Sequence, residues 1–434
     1  MAKAKKPVAD VERVDRNKIP RVDTNELLDS LQAKLGGDGV VLQRGEEIEG
    51  RFDLRRPSGI TQLDLACGGG FPAGGLSQID GLDGIGKNLL LNHYLAKQQR
   101  IYKENTNLGM VCLEGAFDKL FARAVGVKVA LSNYEIEAIG RERHLKGQPE
   151  LTSDEADEFK EQIGNFHVFR GAAAEKILEG VVDWVACNSY QIIGIDSWDA
   201  MLTIAEENKD LEDNAKVADA SNIQTRWMKK IFGALAPQKI CPNCFSRPLG
   251  FKIFGKGGYS YECGNKDCGW KGLRPFMWEN ETTIIGLRQV RANMKAYGHA
   301  REYRTTGAYA LRHGKMIDVQ LRKGKPIMVK DREVGKEIVW ELTKGKAGTH
   351  EGLTGTYSYY FNPPQIDVAA DLENYCLTND IITYGGAKVG FQLGEMKLGT
   401  KEEMQRRIEE DEEFQAILRI EAIKFAGQGH VRYK

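Results

Sequence analysis

The sequence predicts a doubly wound α/β fold, and three observations carry that prediction. Short apolar runs (LSQID, GMVCLE, YQIIGID, TTIIGLRQV and IDVQLRK) recur from Leu76 onward. Helical stretches such as NLLLNHYLAKQQR and AAAEKILEGVVDWVA lie between them, the alternation expected of a parallel sheet covered on both faces. A Gly-rich turn, Gly81–Asn88, follows the first run and opens the first helix. With 434 residues, 41% of them hydrophobic and 28% charged, the chain can bury a full core and still carry appendages.

Charge excludes one simple reading. Lys+Arg and Asp+Glu each total 61, so affinity for a polyanion has to come from local clusters rather than from a global basic field. No apolar run reaches the roughly 18 residues that a bilayer span needs. The start MAKAKK leads into Asp, Glu and Arg instead of an apolar signal core, so a cytoplasmic protein is expected. Cys67, Cys112, Cys187 and Cys376 are scattered singly, as small buried residues are in a reducing compartment.

Taken in order, the chain opens with a basic polar stretch and then a short amphipathic helix with Leu27, Leu28, Leu31 and Leu35 on one face, stopped by Gly36-Gly37. Val40–Leu42 reads as a brief strand. These form a first segment, 1–50, too small to hold a core of its own. The α/β core is expected over 51–364, with two insertions: a polar, acidic stretch around 131–165, and a Gly- and Cys-rich one at 239–275. Beyond Pro363-Pro364 a small α/β C-terminal domain, 365–434, is expected, with TKEEMQRRIEEDEEFQAILRIEAIKFAG as a charged helix. No fixed-period repeat is present.

Gly81, Gly84, Gly86 and Lys87 have the spacing of a phosphate loop, in which backbone N–H groups and the helix dipole cradle phosphates while the lysine reaches their outer oxygens. A merely Gly-rich turn is the alternative, because Asn88 stands where Ser or Thr is usual. An Asn amide oxygen can ligate Mg²⁺, but as a neutral ligand of different reach. Asp196, at the end of YQIIGID, can hold the Mg²⁺ hydration shell or simply cap a following helix. Glu114, after GMVCLE, can activate a water or be an ordinary exposed acid. Arg288, Arg291, Lys295, Arg301 and Arg304 outnumber Glu302 in a stretch that also carries Tyr297 and Tyr303. That is the make-up of a sequence-independent single-strand binder, or of a solvated basic loop.

These segments, in this order, resemble bacterial and phage RecA recombinases. PSGITQLDLACGGGFPAGGLSQIDG is similar to the family's approach to its phosphate loop, and EGAFDKLFARAVGV to the segment with its catalytic glutamate, here Glu114. The resemblance implies a RecA-like P-loop NTPase core that uses ATP and Mg²⁺, with Phe121 near the adenine. LRQVR resembles the motif whose glutamine, here Gln289, senses the γ-phosphate. TKGKAG resembles the lysine pair that reaches a neighbour's nucleotide across a filament interface, here Lys344 and Lys346, which composition alone leaves as ordinary solvated lysines. The stretch ending Thr305-Thr306-Gly307 matches the second DNA loop, so Arg291, Lys295, Tyr297, Arg301, Arg304, Thr306 and Gly307 are implied DNA contacts. A first DNA loop falls near 206–216, which is acidic here, with Arg226, Lys229 and Lys230 on the helix after it. The N-terminal helix and strand match the family's filament-forming element. The implied activity is ATP-dependent pairing and strand exchange on single-stranded and duplex DNA by a homo-oligomeric filament. A non-hydrolysing, DNA-coating relative is the alternative that Asn88 favours.

The second insertion adds metal chemistry. Cys241-Pro-Asn-Cys244 and Cys263-Gly-Asn-Lys-Asp-Cys268 are two short-spaced pairs, the layout of a Cys₄ zinc ribbon. Four thiolates leave no open position for catalysis, so the expected Zn²⁺ is structural or presents a surface to DNA or to a replication or recombination protein through Lys252, Lys256, Tyr259, Trp270 and Lys271. A redox Cys-x-x-Cys is the rival and leaves the second pair unexplained.

Overall fold

Nine strands follow one path through the main sheet of the computed structural model, and a tenth is attached to its side. The described residues are 54–113, 117–171, 174–197, 218–245, 249–254, 258–272, 275–292, 303–305, 313–346, 348–349 and 351–427. The N-terminal helix and strand predicted at Leu27–Leu42, and the acidic stretch 206–216, lie outside them.

The strands are β1 (Leu76–Gly81), β2 (Asn107–Cys112), β3 (Asn165–Arg170), β4 (Ile192–Asp196), β5 (Thr283–Ala292), β6 (Tyr303–Thr305), β7 (Ile317–Val329), β8 (Arg332–Gly345), β9 (Thr354–Phe361) and β10 (Pro364–Ile366). The path is β10-β9-β8-β7-β1-β5-β4-β2-β3, with β6 paired to β5. From β7 to β3 all neighbours are parallel, and β7 through β10 continue as antiparallel pairs. Helices α1 (Lys87–Tyr102) and α2 (Lys119–Val125) follow β1 and β2, while α3 (Ala174–Ala186) and α4 (Ala218–Ala234) follow β3 and β4.

Side-chain alternation along the strands builds two cores. Ile79, Leu287 and Val319 pack with Leu90, Tyr94 and Ala122 on one side of the sheet. Leu76, Ile193 and Ile284 pack with Ile177, Val181, Trp227 and Ile231 on the other. The doubly wound α/β architecture expected from the sequence is therefore the one observed, and its buried central strands explain why the apolar runs are short and nearly continuous.

Two details depart from the sequence reading, and a third fills in what it left open. The run IDVQLRK is the first half of a longer strand: β7 continues to Val329, and Lys330 and Asp331, both at positive φ (47° and 63°), turn the chain into β8. That is the left-handed pair a two-residue hairpin requires, made here without glycine. The charged C-terminal helix is two helices, α6 (Lys401–Glu410) and α7 (Glu412–Gly427), after α5 (Val368–Thr378). Asp411 separates them because its carboxylate accepts from the Phe414 N–H at 2.9 Å, capping the second helix. Leu372, Cys376, Met404, Ile408, Phe414 and Leu418 form a separate core among these three helices. The acidic insertion forms two helices, Asn133–Leu145 and Ser153–Lys160, each opened by a capping box.

Two compact units emerge from the packing. The larger comprises Glu49–Ala236 and Glu279–Lys434 and holds the main sheet, and the smaller includes Pro237–Trp278. Within the smaller unit, Leu249–Phe254, Gly258–Cys263 and Lys271–Gly272 form one small antiparallel sheet, and Gln238–Ile240 pairs with Phe276–Trp278 in another.

Candidate functional site

Parallel strands all end on one edge of their sheet, so the loops that leave them gather there, and in an open α/β sheet that C-terminal edge is where ligands sit. β1 is the middle strand of the path, and Gly81 at its end lies level with Gln289 of β5 on one side and Leu321 of β7 on the other. Two strands further along, Asp196 of β4 is level with Cys112 of β2. The phosphate-loop sequence, Gln289 and Asp196 thus reach one edge of the same sheet. β2 ends at Cys112, and Glu114 lies outside the described residues.

The loop from Gly81 to Lys87 has the geometry its glycines allow. Gly84 (φ 65°) and Gly86 (φ 113°) both occupy left-handed backbone that a Cβ strains, and Gly86 is the N-cap of α1. Lys87 is buried and folds back across the loop, its Nζ donating to the carbonyls of Gly81 (3.1 Å) and Leu82 (2.9 Å). Asn88 is exposed, and its Nδ2 donates to Asp196 Oδ2 at 2.9 Å. The two residues expected to face Mg²⁺ therefore touch. Turning the amide about χ2 exchanges nitrogen for oxygen, and would set a neutral oxygen beside a carboxylate at one point. That donor set suits a hard divalent cation.

Phe121 sits in the first turn of α2. The Asp118 carboxylate accepts from its N–H at 2.8 Å, and its ring packs against the core that also holds Tyr94. Gln289 is exposed at the sheet edge. Beyond it β5 pairs with β6 in the register Val290↔Thr305, Arg291↔Arg304 and Ala292↔Tyr303. The expected DNA segment is therefore closed at its base by a ladder that brings Arg291 and Arg304 to opposing backbone positions. Lys295, Tyr297, Arg301, Thr306 and Gly307 lie outside the described residues. Of the helix cations on α4, Arg226 and Lys229 are exposed, whereas Lys230 is held by Glu179 at 2.6 Å and is not an open cation.

Lys344 is part of strand β8, not of a loop. It pairs with Asp318, which is level with Gln78, so it lies on the order of 10 Å up the sheet from Gly81. Burial, with Lys346 and Lys315 adding like charge, pulls its ammonium down to about 8. The exposed Lys346 donates its Nζ to the His313 carbonyl at 2.7 Å.

Sequence reasoning missed the polar strip beside β1. Gln78, Asp80, Arg288, Lys315, Asp318 and Gln320 are all buried. Lys315 pairs with Asp318, and Gln78 donates to Asp80. Burial and then Asp318 push the Asp80 carboxyl up to about 7, against the opposing pull of Lys315. The alternation of polar residues in LSQID and IDVQL is the signal that was present.

In the smaller unit the four cysteines converge, with all four Sγ atoms within 4.8 Å of one another. Cys241 and Cys268 are 3.7 Å apart, and Cys244 and Cys263 3.4 Å. A tetrahedral ion with 2.3 Å metal–sulfur bonds separates its ligands by about 3.8 Å. The Asn243 and Asn265 N–H groups each donate to the first sulfur of their own turn at 3.4 Å, as the charge of a thiolate favours. The cluster can hold a metal ion.

A Gly-x₄-Gly-Lys loop that leaves the middle strand of a parallel sheet to open a helix defines a core of the P-loop NTPase class. Comparison with known proteins narrows this. Protein RecA of Porphyromonas gingivalis is 25% identical over 412 residues, 91% of this chain and 93% of that one. Protein RecA of Thermus thermophilus is 25% identical over 396 residues, 90% and 91%. The chain is therefore similar to RecA proteins over most of its length. No family model matches it. A crystal structure of the RadB recombinase aligns with a TM-score of 0.39 at 14% identity, covering 71% of this chain and 98% of that one. Among the described residues no helix is long and apolar enough to cross a membrane.

Proposed function

We propose that this protein is an ATP-dependent DNA recombinase that forms filaments on single-stranded DNA and promotes homologous pairing and strand exchange. The observation that carries this reading is the shared sheet edge. The Gly81–Asn88 loop, Asp196, Gln289 and the Arg291–Arg304 ladder leave neighbouring parallel strands side by side, so nucleotide and DNA would bind to consecutive loops of one rigid scaffold.

In this reading Gly81, Gly84 and Gly86 let the backbone approach the phosphates, and Lys87 exchanges its two carbonyl partners for phosphate oxygens. Asn88 and Asp196 hold Mg²⁺, which when bound offsets the charge on the β- and γ-phosphates. Phe121 lies against the adenine, Glu114 orients the water, and Gln289 passes the state of the γ-phosphate to the DNA segment 290–307. Lys344 and Lys346, set back from their own loop, act on a neighbour's nucleotide.

Filament assembly is supported by β3, which ends the sheet path and is half-exposed, with Val168 open to solvent. Such an edge accepts a strand by backbone pairing, and Val40–Leu42 of another copy supplies one. Zn²⁺ fills the cysteine cluster, and the ribbon offers a surface to DNA or to a replication or recombination protein, on which Lys271 is paired with Glu262 at 2.8 Å. A cytoplasmic location accords with this role.

One observation favours a second reading. Because Asn88 is tied to Asp196, ATP binding without turnover would give a filament that coats DNA as a scaffold. Measuring ATP hydrolysis with and without single-stranded DNA separates the two. The recombinase hydrolyses ATP faster on DNA and loses this in Lys87→Ala and Glu114→Gln. Tight DNA binding and filaments without hydrolysis would replace it with the scaffold.

A further inference from the structure

The β7–β8 hairpin overruns the sheet. Gly81 is level with Leu321, yet β7 runs on to Val329 and β8 returns from Arg332, so the far part of the hairpin overhangs the loop that starts at Gly81. A register shift between Lys323 and Pro326 marks where the overhang begins, and such irregularities bend a strand and sharpen its twist.

Lys336 sits on this overhang, paired with Pro326 on one side and Tyr359 of β9 on the other. Its Nζ donates to the Gly84 carbonyl at 2.8 Å and lies 5.5 Å from the centre of the Tyr359 ring. The same ring would meet a Cβ on Gly86 at 3.7 Å. The pair Lys336 and Tyr359 thus touches the loop at both of its left-handed glycines. Among the described residues Lys336 forms no ion pair with a carboxylate. Burial and then Lys323 pull its ammonium below the usual lysine range, and Glu333 only partly restores it. A cation under that strain, beside a loop shaped for phosphates, is stabilised by an arriving anion.

We propose that Lys336 is a second lysine of the phosphate loop, contributed by β8, which positions the phosphates of a bound nucleoside triphosphate together with Lys87. The proposal rests on the nucleotide reading of the loop. It gives the site a charge carried on the same chain that is independent of the divalent cation. Lys336 then matters most when that cation is withheld.

Equilibrium titration of the full chain with a fluorescent N-methylanthraniloyl ATP, in Mg²⁺ and in EDTA, tests it. Lys336→Gln keeps a donor for the Gly84 carbonyl but loses the charge, and Lys336→Arg keeps both. Expected are a loss of about tenfold in affinity for Lys336→Gln in EDTA, a smaller loss in Mg²⁺, and recovery to within about threefold in Lys336→Arg. The loss should also shrink at high salt, which a purely structural role would not produce. Unchanged affinity in Lys336→Gln, with binding abolished by Lys87→Ala, would overturn the role of Lys336 and leave the nucleotide site standing. A loss that ignores salt and is not restored by arginine would overturn it as well. No binding by the natural protein in either buffer would overturn the nucleotide reading itself.

Discussion

Asn88 donates its amide nitrogen to Asp196 Oδ2 across 2.9 Å, tying the first turn of α1 to the end of β4. Oxygen against oxygen repels, so the amide turns its nitrogen toward the carboxylate and its carbonyl away. A cation entering between them has to reverse that orientation and break the bond, a cost that a threonine hydroxyl, with donor and lone pairs on one atom, avoids. Asn88→Thr is therefore expected to lower the Mg²⁺ concentration for half-maximal DNA-stimulated ATP hydrolysis and to raise the maximal rate about tenfold. Phosphate release across a Mg²⁺ titration measures both. An unchanged half-point would mean that the amide already serves the ion as well as a hydroxyl.

Lys344 is expected to give the proposed ATP hydrolysis a pH dependence. With its ammonium pulled down to about 8 by burial and then by Lys346, it is charged at pH 7 and neutral at pH 9. If it stabilises a neighbour's phosphates, hydrolysis by filaments falls as pH rises through 8. Lys344→Arg, charged across this window, should hold its rate to at least pH 9. Stability moves the other way: the unfolded lysine titrates near 10.4, so it binds more protons than the folded one between about 8 and 10, and this group's contribution to stability rises with pH there.

The carboxyl of Asp80 is the opposite case. Burial first, and Asp318 second, raise it to about 7, against about 3.9 in an unfolded chain. Between those values the folded state binds the extra proton, so stability falls as pH climbs from about 4 to 7. Asp80→Asn keeps an acceptor for Gln78 and removes the ionisation. Its melting temperature should match the natural protein's near pH 4 and exceed it by several degrees at pH 8. Equal melting curves at pH 8 would show that Lys315 and Arg288 already neutralise the charge.

How far the sequence spoke for these features depended on whether the signal was local. Gly81–Lys87, Asp196 and Gln289 were legible because each follows a short apolar run, and the strand order then brings the ends of those runs together. The cysteine cluster was legible from spacing alone. Lys336 was not, since it meets Gly84 from 252 positions away and its own surroundings, VGKEIVW, name no ligand. The hairpin around Lys330 and Asp331 was missed because no Asn-Gly marks its turn. The break at Asp411 was hidden in a run of charges whose helical spacing continues through it, and only the hydrogen bond from the Phe414 N–H reveals the cap. Lys230 counted as a free cation until α3 supplied Glu179.

The two cysteine pairs make the sharpest statement about metal. Four sulfurs within 4.8 Å of one another, in a cluster that among the described residues holds little beyond Tyr261, Trp270 and the cysteines themselves, is an arrangement that hydrophobic burial alone does not stabilise. A bound Zn²⁺ contributes on the order of 10 kcal/mol to such a unit, and that contribution is also its folding energy. Purified protein is expected to contain one Zn²⁺ per chain by elemental analysis. Cys241→Ser or Cys263→Ser should lose it and expose the segment 237–278 to protease, while the main thermal transition of the larger unit, which packs a core on either side of its own sheet, stays in place. Retention of the metal in both variants would reject the four-sulfur site. Loss of metal together with collapse of the main transition would show that the two units do not fold independently.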